Sequence, residues 1–245
     1  MTKLILPLFI GILSGAIVNI LADTLPFKNK TFHLNCNRCG NMLNLWEYLS
    51  LSECKVCLQR KRWRMIIVYL LYILVAYWIA NSPQRLSVLE CFFTLIFFGV
   101  VMVIDIEYHA ILYIEILIGI ILGLVIGIHH HGLWRTLSGG IVGFLIMLGL
   151  YYLGILILKF RNRSVVSNET EALGFGDVNL MAVLGLYLGF PGIIVGLFLG
   201  VMTAGIYSFI LIIKMLLQKK YHPDYAIPYG PFLVLGAAVL LFLAR

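Results

Sequence analysis

Charged residues are scarce in this sequence. Asp, Glu, Lys and Arg make up only 12% of its 245 residues, whereas a soluble domain carries about a quarter. Hydrophobic residues make up 62%, and the mean hydropathy is +1.00. This composition excludes an ordinary soluble globular domain. It also provides no basic face on a folded domain, so no nucleic-acid partner is expected.

Internal repeats and low-complexity linkers are absent as well. Apolar runs of about 20 residues recur instead, and such a run can cross a bilayer as a helix. The sequence therefore predicts an all-α polytopic membrane protein with about eight transmembrane helices, the first of them a retained span rather than a signal peptide. The predicted spans are 4–22, 65–80, 88–104, 111–128, 136–158, 178–190, 193–213 and 229–244.

The few basic residues are unevenly distributed between the loops. With the N-terminus outside, the inside loops are 23–64, 105–110, 159–177 and 214–228, and they hold 14 of the 18 Lys and Arg residues. Cytoplasmic loops carry such an excess of positive charge. The sequence therefore predicts that both termini lie outside and that the long loop 23–64 lies in the cytoplasm.

Cysteine is rare, yet four of the five cysteines lie in this one loop as two CxxC pairs. The ligands that this pattern predicts are Cys36, Cys39, Cys54 and Cys57, with fourteen residues between the pairs. Four thiolates so spaced can surround a structural Zn²⁺ tetrahedrally. Two disulfides or free thiols are the alternatives, although disulfides rarely persist in the cytoplasm. The fifth, Cys91, is interpreted as a small buried hydrophobe.

Two aspartates lie at the ends of predicted spans. Asp105 lies at the inside end of the third span, and Asp177 precedes the sixth and follows Gly174-Phe175-Gly176. Both are therefore expected at the same cytoplasmic depth, where two carboxylates can share a proton across a water. Capping of a helix N-terminus is the structural alternative for Asp177. An ion pathway is another use of paired membrane carboxylates.

The motif Gly174-Phe175-Gly176-Asp177 resembles the GxGD motif of intramembrane aspartyl proteases. Nearly the whole chain resembles bacterial type IV prepilin peptidases, also called leader peptidase/N-methyltransferases. The residues that carry this resemblance are Asn19, Leu25-Pro26, the double CxxC loop, Asp105 with Ile111, Gly174 to Val178, and 227-IPYGPFLVLGA-237.

The resemblance implies an enzyme of the bacterial inner membrane. Such enzymes cut the basic leader from type IV prepilins or type II secretion pseudopilins after a glycine at the cytoplasmic face. They then methylate the new N-terminus with S-adenosylmethionine. Asp105 and Asp177 would be catalytic, residues 1–64 methylation-associated and residues 65–245 the peptidase domain. The residues expected to shape the site are Gly174, Gly176, Pro228, Gly230 and Pro231.

The sequence departs from the family's pattern mainly on the methylation side. Thr24 replaces a basic residue, Asn179 replaces a lysine, 60–71 lacks the Pro and Glu of the family, and 111–113 lacks Ile-Pro-Asp. A peptidase-only paralogue is therefore one alternative. A transporter with paired carboxylates and a protease for preflagellins or signal peptides are two more.

One further carboxylate is predicted inside a span. Glu115 lies about one turn into the fourth span. It is expected to pair with a basic group or to face a water-filled cavity, rather than to act in catalysis.

Overall fold

The computed structural model describes residues 2–26, 44–49, 62–82, 85–160, 174–218 and 227–243. Within these residues the regular structure is entirely α-helical, as predicted. The helices are α1 (Thr2–Thr24), α2 (Leu45–Leu49), α3 (Arg62–Asn81), α4 (Val88–Tyr108), α5 (Tyr113–His131), α6 (Leu133–Phe160), α7 (Phe175–Leu188), α8 (Gly192–Leu217) and α9 (Gly230–Phe242).

Six of the described helices are long and apolar enough to cross a membrane: α1, α3, α4, α5, α6 and α8. This finding indicates a multi-pass membrane protein. The other two predicted spans correspond to α7, with 14 residues, and α9, with 13 residues. Each is about 20 Å long, shorter than the roughly 30 Å hydrocarbon core of a bilayer. The predicted count of eight spans is therefore not confirmed.

The chain divides into two compact units, residues 1–100 and 101–245. In the first unit α1 packs along α3. The backbones approach closely because α1 presents glycine there: a Cβ on Gly11 would lie 2.8 Å from the Ile73 Cα. At the end of α1, Asp23 accepts two hydrogen bonds from the Arg64 guanidinium, at 2.7 and 2.8 Å.

The predicted functional division at residue 64 differs from this structural one. Residues 27–43 and 50–61, which contain all four predicted zinc ligands, lie outside the described residues. The division into 1–64 and 65–245 therefore stays a prediction. Cys91 is a free, buried thiol with 4% exposure, so its interpretation as a small buried hydrophobe is confirmed.

Helix α7 lies at the centre of the second unit. It contacts α5, α6, α8 and α9, and ten of its residues are buried. Close packing against α6 depends on glycine, since a Cβ on Gly139 would lie 2.4 Å from the Gly185 carbonyl oxygen. α7 ends at Gly189, which adopts φ 62° and donates its N–H to Gly185. The first turn of α7, which carries Asp177, is thereby held inside the unit.

Candidate active site

Asp105 lies in the last turn of α4, buried to 5% exposure. The predicted third span stops at residue 104, but α4 continues through Tyr108 and includes Asp105. His109 follows with φ 51° and donates its backbone N–H to the Asp105 carbonyl oxygen at 2.9 Å. A left-handed residue at this position is a common helix terminator. The chain therefore turns away directly after the turn that carries the carboxylate.

A backbone group from a distant helix binds the Asp105 side chain. The N–H of Gly230, the first residue of α9, donates to Asp105 Oδ2 at 3.0 Å. N–H groups in a first helical turn have no partner within their own helix and are available to anions. Position 230 also has no room for a side chain, because a Cβ there would lie 2.6 Å from the same oxygen.

The two predicted prolines flank this contact. Pro228 is half-buried and precedes α9, and Pro231 is buried in its first turn. Proline is tolerated in a first turn because its missing N–H would be unused there. The two prolines therefore restrict the backbone on either side of the Gly230 N–H.

The sequence predicted that Asp177 precedes its helix. In the structure Asp177 lies inside the first turn of α7. Gly174 is the N-cap residue, and the Asp177 N–H donates to its carbonyl oxygen at 3.1 Å. Asp177 is therefore the third helical residue, from which an acidic side chain reaches back toward the N-cap backbone. The Asp177 side chain is 8% exposed, and its charge interacts with that of Asp105.

The two glycines of the GxGD motif have different surroundings. Gly174 is exposed, whereas Gly176 lies against the segment that follows α4. A Cβ on Gly176 would lie 3.1 Å from the Ile111 Cβ. Gly176 thus allows the first turn of α7 to approach the chain that leaves Asp105.

A third carboxylate belongs to this cluster. Glu115 is the third residue of α5 and is 2% exposed. Its Oε2 accepts the backbone N–H of Leu112 at 2.9 Å, and its charge interacts with that of Asp105. The expected basic partner is not found for Glu115 among the described residues. The sequence signal was an intramembrane glutamate, whose proximity to Asp105 only the fold reveals.

Three helix N-termini thus supply the surroundings of Asp105. They are the first turns of α5, with Glu115, of α7, with Asp177, and of α9, with the Gly230 N–H. The positive end of each helix dipole favours a nearby negative charge by about 0.3–1 kcal/mol. This arrangement makes a shielded acidic site with one backbone donor already in place.

Comparison with known proteins agrees with this geometry. Residues 92–209 match the model of the type IV leader peptidase family. This segment contains both aspartates and Glu115. The predicted resemblance is confirmed, and so is the expectation of an enzyme.

The relatives that the chain resembles carry one name, prepilin leader peptidase/N-methyltransferase. The Pseudomonas putida protein is 24% identical over 266 residues, covering 93% of this chain and 86% of the relative. The Stutzerimonas stutzeri protein is 26% identical over 225 residues, covering 85% and 71%. The Aeromonas salmonicida (strain A449) protein is 27% identical over 103 residues, covering 42% and 31%. No solved structure matches the chain.

Proposed function

We propose that this protein is a membrane-embedded aspartyl endopeptidase that removes the leader of type IV prepilins or type II secretion pseudopilins. The observation that carries the proposal is the pair Asp105 and Asp177. Both are buried, one in the last turn of α4 and one in the first turn of α7, inside a segment that matches a leader peptidase family. Family membership supports the substrate class, and the shielded pair supports the chemistry.

The chemistry follows the general scheme for two carboxylates that share one proton. The ionised carboxylate takes a proton from water, and the hydroxide formed attacks the scissile carbonyl carbon. The protonated carboxylate donates its proton to the carbonyl oxygen. Collapse of the tetrahedral intermediate breaks the C–N bond. The leaving nitrogen takes the proton that the first carboxylate removed from water, and a hydroxyl of the intermediate returns a proton to the second carboxylate. The N–H of Gly230 keeps the Asp105 carboxylate oriented for this exchange.

The finer parts of the proposal concern location and the second reaction. Cleavage after a glycine at the cytoplasmic face of the inner membrane fits the excess of Lys and Arg in loops 23–64, 159–177 and 214–228. Both termini then lie outside.

Methylation of the new N-terminus with S-adenosylmethionine is supported by the relatives' name. A peptidase-only paralogue fits the departures at Thr24, Asn179 and 60–71.

We also propose a structural Zn²⁺ in the cytoplasmic loop. Cys36, Cys39, Cys54 and Cys57 form a donor set of four thiolates in two CxxC pairs, which suits a closed tetrahedral zinc site. Four protein sulfurs leave no open position for water, so the metal would fold the loop and take no part in cleavage.

Reconstitution tests the proposal. Purified protein in lipid vesicles is incubated with a synthetic prepilin and S-adenosylmethionine, and the products are weighed by mass spectrometry. A mass that fits cleavage after the glycine supports the peptidase, and one that is 14 Da higher, by the mass of an added CH₂, supports methylation. An intact substrate contradicts the peptidase. Proton-dependent ion flux into the vesicles without cleavage would favour a transporter.

A further inference from the structure

Only one of the two carboxylate oxygens of Glu115 forms a hydrogen bond. Oε2 accepts the Leu112 N–H at 2.9 Å, so one oxygen is sufficient to cap α5. Oε1 is buried and has no hydrogen-bond partner. An unpaired buried carboxylate oxygen is costly, and native proteins rarely retain one without a use.

The position of this oxygen indicates what it binds. Oε2 of Glu115 binds the N–H of Leu112, and the preceding residue, Ile111, lies against Gly176 in the first turn of α7, so Glu115 lies near the turn that carries Asp177. Three buried carboxylates thus lie at the ends of α4, α5 and α7. The aspartyl mechanism uses two of them and one negative charge, which leaves the Glu115 carboxylate without a role in cleavage.

A positively charged group would complete this cluster. His109 directly follows α4, and its side chain is exposed. Arg135 lies in the first turn of α6, Lys159 in the last turn of α6 and Lys214 in the last turn of α8. Among the described residues, no ion pair joins any of the three to Glu115. None of the described basic residues of the second unit therefore supplies a cation to Glu115.

The Glu115 side chain is as shielded from solvent as the side chains of the proposed catalytic pair. Asp105 is 5% exposed, Asp177 is 8% exposed and Glu115 is 2% exposed. All three carboxylates are thus shielded from solvent to a similar extent.

We infer that Glu115 is a specificity-determining residue whose free oxygen binds a cationic group of the peptide next to the bond that is cut. This inference rests on the proposed peptidase function. Two groups have the required chemistry: a Lys or Arg side chain of the leader, and the α-ammonium group that hydrolysis creates. The first raises affinity for the substrate, and the second retains the product.

The test removes the charge from Glu115, from the peptide, or from both, and compares the effects on cleavage. Glu115→Gln keeps an oxygen for the Leu112 N–H but removes the negative charge. Its kcat/KM is measured with a synthetic prepilin and with the same peptide after Lys and Arg are replaced by Gln. A charge-assisted hydrogen bond predicts a loss of about 10- to 100-fold on the basic peptide. On the neutral peptide we expect wild type and Glu115→Gln to agree within about twofold.

Glu90→Gln is the matched control. Glu90 is the third residue of α4 and accepts the Ser87 N–H at 2.7 Å, as Glu115 does for Leu112. Its replacement removes a charge from an equivalent cap in the first unit, so it should not change the preference for a basic peptide. Glu115→Asp retains the charge and should retain part of the preference. An equal loss on both peptides for Glu115→Gln would show a structural role and overturn the inference.

Product peptides distinguish the two sources of the cation. If the α-ammonium group binds Glu115, a product with a free N-terminus inhibits wild type at least tenfold better than its acetylated form, and Glu115→Gln removes that difference. If a leader side chain binds, acetylation has no effect and only the basic leader is preferred.

Binding is also measured without cleavage, in Asp177→Asn with and without Glu115→Gln. A charge preference that depends on Glu115, with no cleavage by wild type, would sustain the cation site and reject the peptidase. Cleavage whose charge preference is independent of Glu115 would sustain the peptidase and reject the cation site. A protein that neither binds nor cleaves the peptide contradicts both.

Discussion

The Asp105 carboxylate accepts a hydrogen bond from the Gly230 backbone N–H at 3.0 Å, although 125 residues separate them in sequence. The contact joins the last turn of α4 to the first turn of α9. It orients one carboxylate of the proposed catalytic pair through a backbone donor, so no second side chain is needed.

Gly230→Ala should therefore impair cleavage through crowding. The new Cβ would lie 2.6 Å from Asp105 Oδ2 and 3.1 Å from its Cγ, so the carboxylate has to move. Displacement of a catalytic group by about 1 Å can lower the rate about 100-fold, and we expect a loss of that order in kcat. The measurement is steady-state cleavage of a synthetic prepilin.

Gly205→Ala is the control for this variant. Gly205 lies in α8, and a Cβ there meets no atom within 4 Å. Equal activities for Gly230→Ala and Gly205→Ala would contradict the proposed importance of the Asp105–Gly230 contact.

Asp105→Asn and Asp177→Asn should each abolish cleavage while the protein still accumulates in the membrane. Asparagine keeps the size of the side chain but can neither accept a proton from water nor share one with its neighbour. Since general acid–base catalysis contributes about 10²–10⁴-fold per group, each variant should lose at least that factor. Mass spectrometry of the product over long incubations is the measurement. Near-normal cleavage by either variant would refute the two-aspartate mechanism.

The sequence was sufficient to predict the helical class, and it singled out two aspartates that the structure buries, whose catalytic role stays a prediction. Scarce charge makes a carboxylate at the end of an apolar run conspicuous, and the GxGD motif identifies Asp177. The role of Gly230 at Asp105 was predicted only as a general shaping of the site, because no local pattern encodes a contact across 125 residues.

The position of Asp177 relative to its helix was misjudged. It was expected to precede the helix, because the sixth span was predicted to begin at residue 178. The structure begins α7 at Phe175, with Gly174 as N-cap, so Asp177 lies within the first turn. Glu115 was expected to find a basic group or water. Its place at the third position of α5 also gives it the Leu112 N–H, a capping contact that was not predicted.

Gly139→Ala should destabilise the second unit. The new methyl group would lie 2.4 Å from the Gly185 carbonyl oxygen and 2.7 Å from Gly189 backbone atoms, where α6 and α7 approach closely. Overpacking of this kind costs about 1–3 kcal/mol. We expect a lower thermal unfolding temperature and less protein in the membrane. Gly149→Ala, on the same helix with no atom within 4 Å of its Cβ, is the control and should match wild type.

The last prediction concerns the cysteine loop, where we expect one structural Zn²⁺ per chain. Replacing Cys36 and Cys39 by serine should release the metal and make loop 23–64 more sensitive to protease, because a small loop depends on its metal for folding. Methylation, if present, should fall more than cleavage, since Asp105 and Asp177 lie on helices outside the loop. The measurement is elemental analysis of purified, reduced protein.

Cys91→Ser is the matched control for these variants, because Cys91 is a free buried thiol in α4 and not part of a CxxC pair. It should retain the full zinc content, and its loop should resist protease as in wild type. A closed site protects its thiolates from modification. Less than about half a zinc per wild-type chain, together with alkylation of all four loop cysteines under native conditions, would contradict a four-thiolate zinc site.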